Sequence, residues 1–209
     1  MKSFELMPRF QNAVAGFDLF HREDPATATV DGEEVPRELA YSRRMAAWVE
    51  RLDPEAGELL LLAAHCQHLR RFSLPRTDYP EGRKGYLAWR RAAALEHARL
   101  AGAVLRDAGY RREKIERVQN LVLKRAGRSA PEAAQTLEDA ACLVFLEHDL
   151  EALAGRLGPD KTAEVLARTW PKMSVAGRDA AAALELKPEL RALVERALHA
   201  PASPPASGA

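Results

Sequence analysis

The sequence predicts an all-α fold, and three observations carry that expectation. Apolar residues recur at three- and four-residue steps through most of the chain. No window alternates convincingly between apolar and polar residues, as a half-buried strand would. Pro, Gly and Asp fall between the periodic segments and mark their ends. The 209 residues include 31 Lys and Arg against 30 Asp and Glu, with 47% apolar content. That balance fits one soluble globular domain, expected over residues 1–198, followed by a low-complexity, disordered tail at 199–209. A net charge of +1 speaks against a duplex-DNA binder held by a global basic field, while leaving room for local basic patches.

Each element has its own signal. Residues 4–22 form an amphipathic helix with Phe10, Val14, Phe17 and Phe20 in step. Residues 23–36 read as a loop rich in Pro, Gly, Asp and Thr. Pro36 opens a helix to about Leu52, in which Leu39, Met45, Trp48 and Val49 share a face. Asp53-Pro54 restarts a helix that carries Leu59 to Phe72, apolar nearly all round at first and therefore central. Ser73–Gly85 is a loop, and Tyr86–Ala108 a long helix that Gly109 ends. Helices follow over Tyr110–Lys124, from Pro131 to about Ala154, over Lys161–Trp170, and from Pro188 to Leu198. Cys66 and Cys142 both lie in apolar segments, the pattern of buried free thiols in a reducing cytoplasm. No window approaches eighteen uninterrupted apolar residues, so no membrane span is expected.

Chemistry concentrates between Glu58 and Leu100. His65 and His68, three apart on the expected helix, would project from one face. His97 comes from the next helix, with Glu138 and Asp139 from a third. Imidazoles and a carboxylate from three helices can hold Mn, Fe, Zn or Ni, or can form a hydrogen-bonded network without metal. Around them lie Arg70, Arg71, Arg76, Arg83, Lys84, Arg90 and Arg91, interleaved with Tyr79, Tyr86 and Trp89. Planar guanidinium groups bind phosphate, and aromatic rings stack bases. A small phosphorylated ligand or an RNA end is therefore the expected partner. Lys172-Met173-Ser174 is similar to the KMS element of class I aminoacyl-tRNA synthetases, without the parallel-sheet pattern that this reading needs.

The strings YSRRMAAWVERL, CQHLRRF, PRTDYPEGRKGYLAWR, LEDAACLVFLE and TWPKMS resemble an uncharacterised family, domain of unknown function 4202. A more distant resemblance is to the HD superfamily of metal-dependent phosphohydrolases. YSRRMAAWVERL followed by ELLLLAAHCQHLRRF is similar to its opening, LEHARLAGAVLRDAGY to its later histidine helix, and LEDAACLVFLE to its closing helix. The positions depart from the family pattern. Its first histidine falls on Tyr41, its His-Asp pair on Gln67-His68, and its closing aspartate on Ala141, with Asp139 two residues earlier. His97 falls on a histidine that some members use as a ligand.

This resemblance implies an HD-like orthogonal helical bundle and a cytoplasmic metal-dependent phosphohydrolase acting on a nucleotide or related metabolite. In that reading a divalent metal is held by His68, His97 and Asp139, with His65 or Glu138. His68, Asp139 and Glu138 are the catalytic candidates. Arg70, Arg71, Arg76, Arg83, Lys84, Trp89 and Arg90 are the substrate-binding candidates. The alternatives are a degenerate, non-catalytic module that binds a nucleotide or RNA through its basic loop, and an iron-dependent oxidation on the same ligands.

Overall fold

The computed structural model describes residues 2–199. The tail expected over 199–209 lies, beyond His199, outside the described residues. The fold is all-α: ten α-helices and one two-stranded hairpin among the described residues. The chain divides into two compact units, Met1–Leu137 and Glu138–Ala209. Their boundary falls inside one helix, α6 (Pro131–Val144).

In the first unit, α1 (Pro8–Arg22) starts on a proline, whose missing N–H has no helical partner to lose at that position. Phe10, Ala13, Phe17 and His21 form its buried face. The next segment corrects the sequence reading. Residues 23–36 hold β1 (Thr27–Val30) and β2 (Glu33–Pro36), paired antiparallel with Thr27 opposite Pro36. Asp31 and Gly32 link them at φ 52° and 83°, the primed turn that an Asp-Gly pair favours. The strands are short and mostly exposed, so they lack the apolar alternation that reveals a strand. Asp24 then joins the hairpin to α2 (Arg37–Leu52), accepting from the backbone N–H of Ala26 at 3.0 Å and of Glu38 at 3.1 Å.

The central helix, α3 (Glu58–His65), buries Leu60, Leu61, Leu62, Ala63 and Ala64. It is shorter than expected at both ends. Asp53-Pro54 forms a turn, in which the Ala56 N–H donates to the Asp53 carbonyl, and Gly57 stands at the helix start. At the other end the helix stops at His65 instead of reaching Phe72. Glu58 anchors it, accepting from Arg9 Nε at 3.0 Å, Tyr110 Oη at 2.8 Å and Lys114 Nζ at 2.8 Å. Burial pushes the Glu58 carboxyl upward, but Lys114, Tyr110 and Arg9 together hold it below its usual value.

The long α4 (Gly82–Asp107) and α5 (Arg112–Val122) form a helical hairpin. Gln119 Nε2 donates to the Ala98 carbonyl at 2.8 Å. It occupies space that a Cβ on Gly102 would take, approaching to 2.4 Å. At the start of α4, a Cβ on Gly85 would lie 1.8 Å from the Pro80 carbonyl oxygen. Only glycine lets the preceding loop fold back this closely. That loop is braced by Arg76, which donates to the Tyr79 carbonyl, and by Trp89 Nε1, which donates to Leu74 O at 2.8 Å.

In the second unit, α6 runs through a π-turn at Phe145–Asp149 into α7 (Leu150–Leu157), followed by α8 (Pro159–Thr169), α9 (Val175–Ala182) and α10 (Pro188–His199). Leu143, Leu146, Leu150 and Leu166 are buried. The sequence reading does not anticipate α9, because its residues are mostly Ala and Gly and carry no apolar stripe. Cys66 and Cys142 are buried free thiols, as expected. No described helix is long and apolar enough to cross a membrane.

The two kinds of glycine predict opposite signs. Gly85→Ala should lower stability by about 1–3 kcal/mol through the forced loop movement. Gly155→Ala, in α7 with nothing near its added methyl, should raise it by about 0.4–1 kcal/mol. Urea unfolding of both variants is the check.

Candidate functional site

The end of α3 builds the site. The His65 carbonyl accepts from His21 Nε2 and from Ser42 Oγ, each at 2.9 Å. The chain then leaves the helix through a turn with φ 62° at His68 and 51° at Arg70. Left-handed backbone costs a non-glycine residue about 1–2 kcal/mol. Strain of this kind gathers where a side chain must be aimed.

The turn separates the two histidines that the spacing placed on one face. His65 sits edge-on to Phe10 at 6.4 Å, its Nδ1 buried without a partner. His68 stacks on Tyr41 with ring centroids 4.1 Å apart, and lies 5.7 Å from the His97 ring.

The hydrogen bonds assign the His68 tautomer. Its Nδ1 is 3.0 Å from Glu38 Oε2, and its Nε2 is 2.7 Å from Arg71 Nη1. A guanidinium can only donate, so Nε2 presents a lone pair and the proton sits on Nδ1, facing the carboxylate. Burial first, then the Arg71 charge, holds His68 well below its ordinary pKa. Burial raises the Glu38 carboxyl, with Arg71 opposing. His97, from α4, is pushed down to about 3 by burial, then by His68 and Arg71, and its Nε2 is buried without a partner.

The Arg71 guanidinium lies 4.9 Å from the centre of the Trp89 ring. It makes no ion pair among the described residues; its side-chain partners are His68 and Trp89. One fifth of the His68 side chain stays exposed, so the cluster is open to solvent on one side. Glu38, Tyr41, His68, Arg71, Trp89 and His97 thus converge from α2, the α3–α4 turn and α4.

The expected metal ligands are arranged differently from the sequence reading. Among the described residues, no group of three His, Cys, Asp or Glu is placed to hold a metal ion. His65 is turned away, and both nitrogens of His68 are engaged. Asp139, in the second unit, is 3% exposed and accepts from the Ser174 N–H at 2.9 Å and from Ser174 Oγ at 2.5 Å. Ser174 in turn caps α9, accepting from the Gly177 N–H at 3.0 Å. Lys172-Met173-Ser174 is therefore part of a helix start. Glu138 lies beside Asp139, half-buried in α6.

The basic residues also separate. Arg70 pairs with Glu23 at 2.9 Å, and Arg76 braces the loop. Arg83 and Lys84 are exposed in the first turn of α4, and Arg90 lies over Tyr86 at 5.8 Å. Of the expected substrate-binding set, Arg71 and Trp89 are the residues brought to the histidines. Sequence reasoning missed Glu38. Its one signal is its three-residue spacing from Tyr41, and an acid in a first helical turn ordinarily reads as a dipole partner.

Two outcomes follow. His65 is held near 4 and His97 near 3, each chiefly by burial, against about 6.5 in an unfolded chain. Below about pH 6.5 the unfolded state binds protons that the native state does not, so stability is full above that pH and falls from there toward pH 4. The slope should approach about 1.4 kcal/mol per pH unit for each histidine. Urea unfolding at several pH values measures this slope. His97→Gln should reduce it by about one proton's share, and an unchanged slope would count against a buried neutral His97. Asp139→Ala, which strands the Ser174 donors, should cost about 1–3 kcal/mol while leaving the His68 cluster intact, visible in the unchanged histidine NMR signals of the first unit.

The family model described as Domain of unknown function (DUF4202) matches residues 11–194 of the chain. No curated protein and no solved structure matches it.

Proposed function

The chain belongs to the DUF4202 family, and since membership names no reaction, we propose from the geometry that it binds a small phosphorylated metabolite or nucleotide at Arg71, His68 and His97. The carrying observation is an arginine without a direct ion pair among the described residues, its charge reaching the Glu38 carboxylate only across the His68 ring. Arg71 is half-buried, lies on an aromatic face and abuts a neutral imidazole, with no carboxylate paired to it. A cation held in that way is destabilising until an anion arrives, since a partly buried charge without a counter-charge loses hydration without replacement. The guanidinium fork suits phosphate. Glu38 fixes His68 with its lone pair holding the guanidinium in place, and a phosphoryl oxygen would accept from the remaining N–H groups of Arg71. An RNA end carries the same phosphate chemistry. Two buried free thiols and the composition are consistent with a cytoplasmic setting.

Metal-dependent phosphoester hydrolysis is the second reading. What favours it is that Tyr41, His68 and His97, onto which the HD positions fall, lie together. His68 Nε2 would first have to leave Arg71. A bound metal would then supply a hydroxide nucleophile near neutral pH, with His68 and His97 among its holders.

Calorimetric titration with inorganic phosphate and the four ribonucleoside 5′-monophosphates tests the binding reading. At least one should bind, and Arg71→Ala should weaken it by about tenfold or more, the worth of a charge-assisted hydrogen bond. Arg71→Lys should recover only part, having lost the fork. Equal binding by wild type and Arg71→Ala would overturn the proposal. Hydrolysis of the same nucleotides on addition of Mn, abolished in His97→Ala, would move the assignment to the second reading.

A further inference from the structure

A second basic surface lies on the outer side of the α4–α5 hairpin. Between residues 82 and 128 there are thirteen Lys and Arg against four Asp and Glu, in a chain whose net charge is only +1. The rest of the chain is correspondingly acidic. Some of these cations are neutralised locally: Arg99 by Glu96, Arg112 by Glu116 and Lys114 by Glu58. Three arginines, Arg90, Arg91 and Arg125, line one groove. This groove, about 290 Å³ in volume, runs between α4 and the end of α5. Its floor is Leu87, Leu95 and Leu123, and its rim is Arg90, Arg91 and Arg125, with Lys124 beside them and no acid in its lining. Arg91 and Arg125 make no ion pair among the described residues, and Arg90 lies over the Tyr86 ring, its charge also acting on His68. Leu87 and Leu95 are 52% and 45% exposed, unusual for leucines in so charged a setting.

The backbone aims the rim. Lys124 adopts φ 55°, the Arg125 N–H donates to the Asn120 carbonyl at 2.8 Å, and the Lys124 N–H to the Leu121 carbonyl at 3.1 Å. This is a Schellman end, which turns the chain back across the helix terminus. A non-glycine residue holds that left-handed position, and Arg125 is delivered to the groove.

We propose that this groove binds single-stranded nucleic acid. The pattern of apolar floor and guanidinium rim matches a ligand in which every unit carries one phosphate and one flat, partly apolar base. A duplex keeps its bases stacked inside and offers the leucines nothing. An acidic peptide offers carboxylates without the flat apolar surface between them. The proposal is independent of the Arg71 site, which lies around α2, the α3–α4 turn and the inner face of α4.

The test is fluorescence anisotropy with a labelled oligouridylate of about twelve nucleotides, a length within the usual span of single-strand sites. The full chain should bind with Kd of about 10⁻⁶–10⁻⁴ M, and three phosphate contacts should give a slope of log K against log salt of about −2. Arg91→Glu combined with Arg125→Glu should weaken binding by about tenfold or more and flatten the slope by about 1.4. Leu95→Asn, which changes no charge, should also weaken it, an effect that bare charge attraction would not require. Arg156→Glu on exposed α7 should bind like wild type. Circular dichroism verifies that each variant is folded. The proposal fails if wild type does not bind at low salt, if the arginine reversal leaves affinity unchanged, or if a duplex or polyglutamate competes equally.

Discussion

The carbonyl of His65 is the point on which the first unit depends. It is the last residue of the central helix, and its oxygen is shared between His21 of α1 and Ser42 of α2. A helix end leaves carbonyls without intrahelical partners, and here two side chains from two other helices satisfy one of them. Both donors are fully buried, so the bond they make cannot be replaced by water without opening the core. The helix therefore stops at His65, and the following residues must turn. That turn places His68 against Tyr41 and Glu38 and carries Arg71 to Trp89.

The electrostatics of the cluster follow from that turn. Burial disfavours the charged form of His65, His68 and His97, and the Arg71 charge reinforces this at His68 and His97. Three neutral imidazoles leave Arg71 as the cation of the cluster, and the Glu38 carboxylate is spent on the Nδ1 proton of His68. The consequence is an arginine held by an aromatic face and a lone pair. Neither contact supplies the counter-charge that a carboxylate would. Two strained backbone positions, His68 and Arg70, are the structural cost of delivering it.

Asp139 shows how a correct local observation can carry a different meaning. It lies well past the Pro131 start of α6 and is 3% exposed. Its partners are the backbone and hydroxyl of Ser174, at the start of α9. Gly177 lies so close to it that a Cβ there would meet the carboxylate carbon at 2.6 Å. The acid positions a helix terminus within the second unit, and the buried charge is stabilised by the donors gathered there.

The sequence by itself determined the all-α class and most helix positions, because amphipathic periodicity and proline or glycine punctuation act over neighbouring residues. It also singled out His68, His97 and Arg71 as candidates, but not that they meet. The β-hairpin escaped because its short strands bury too little to show alternation, although Asp31-Gly32 carried its turn signal. Only the tertiary structure decided that α3 stops at His65, because that depends on His21 and Ser42, which are 44 and 23 residues away in sequence. The same distant bonds decided that His65 and His68 point apart and that Glu38 faces His68. Helical spacing predicts a shared face only while the helix continues, and what ends a helix in a core is the competition of neighbouring donors for its last carbonyls.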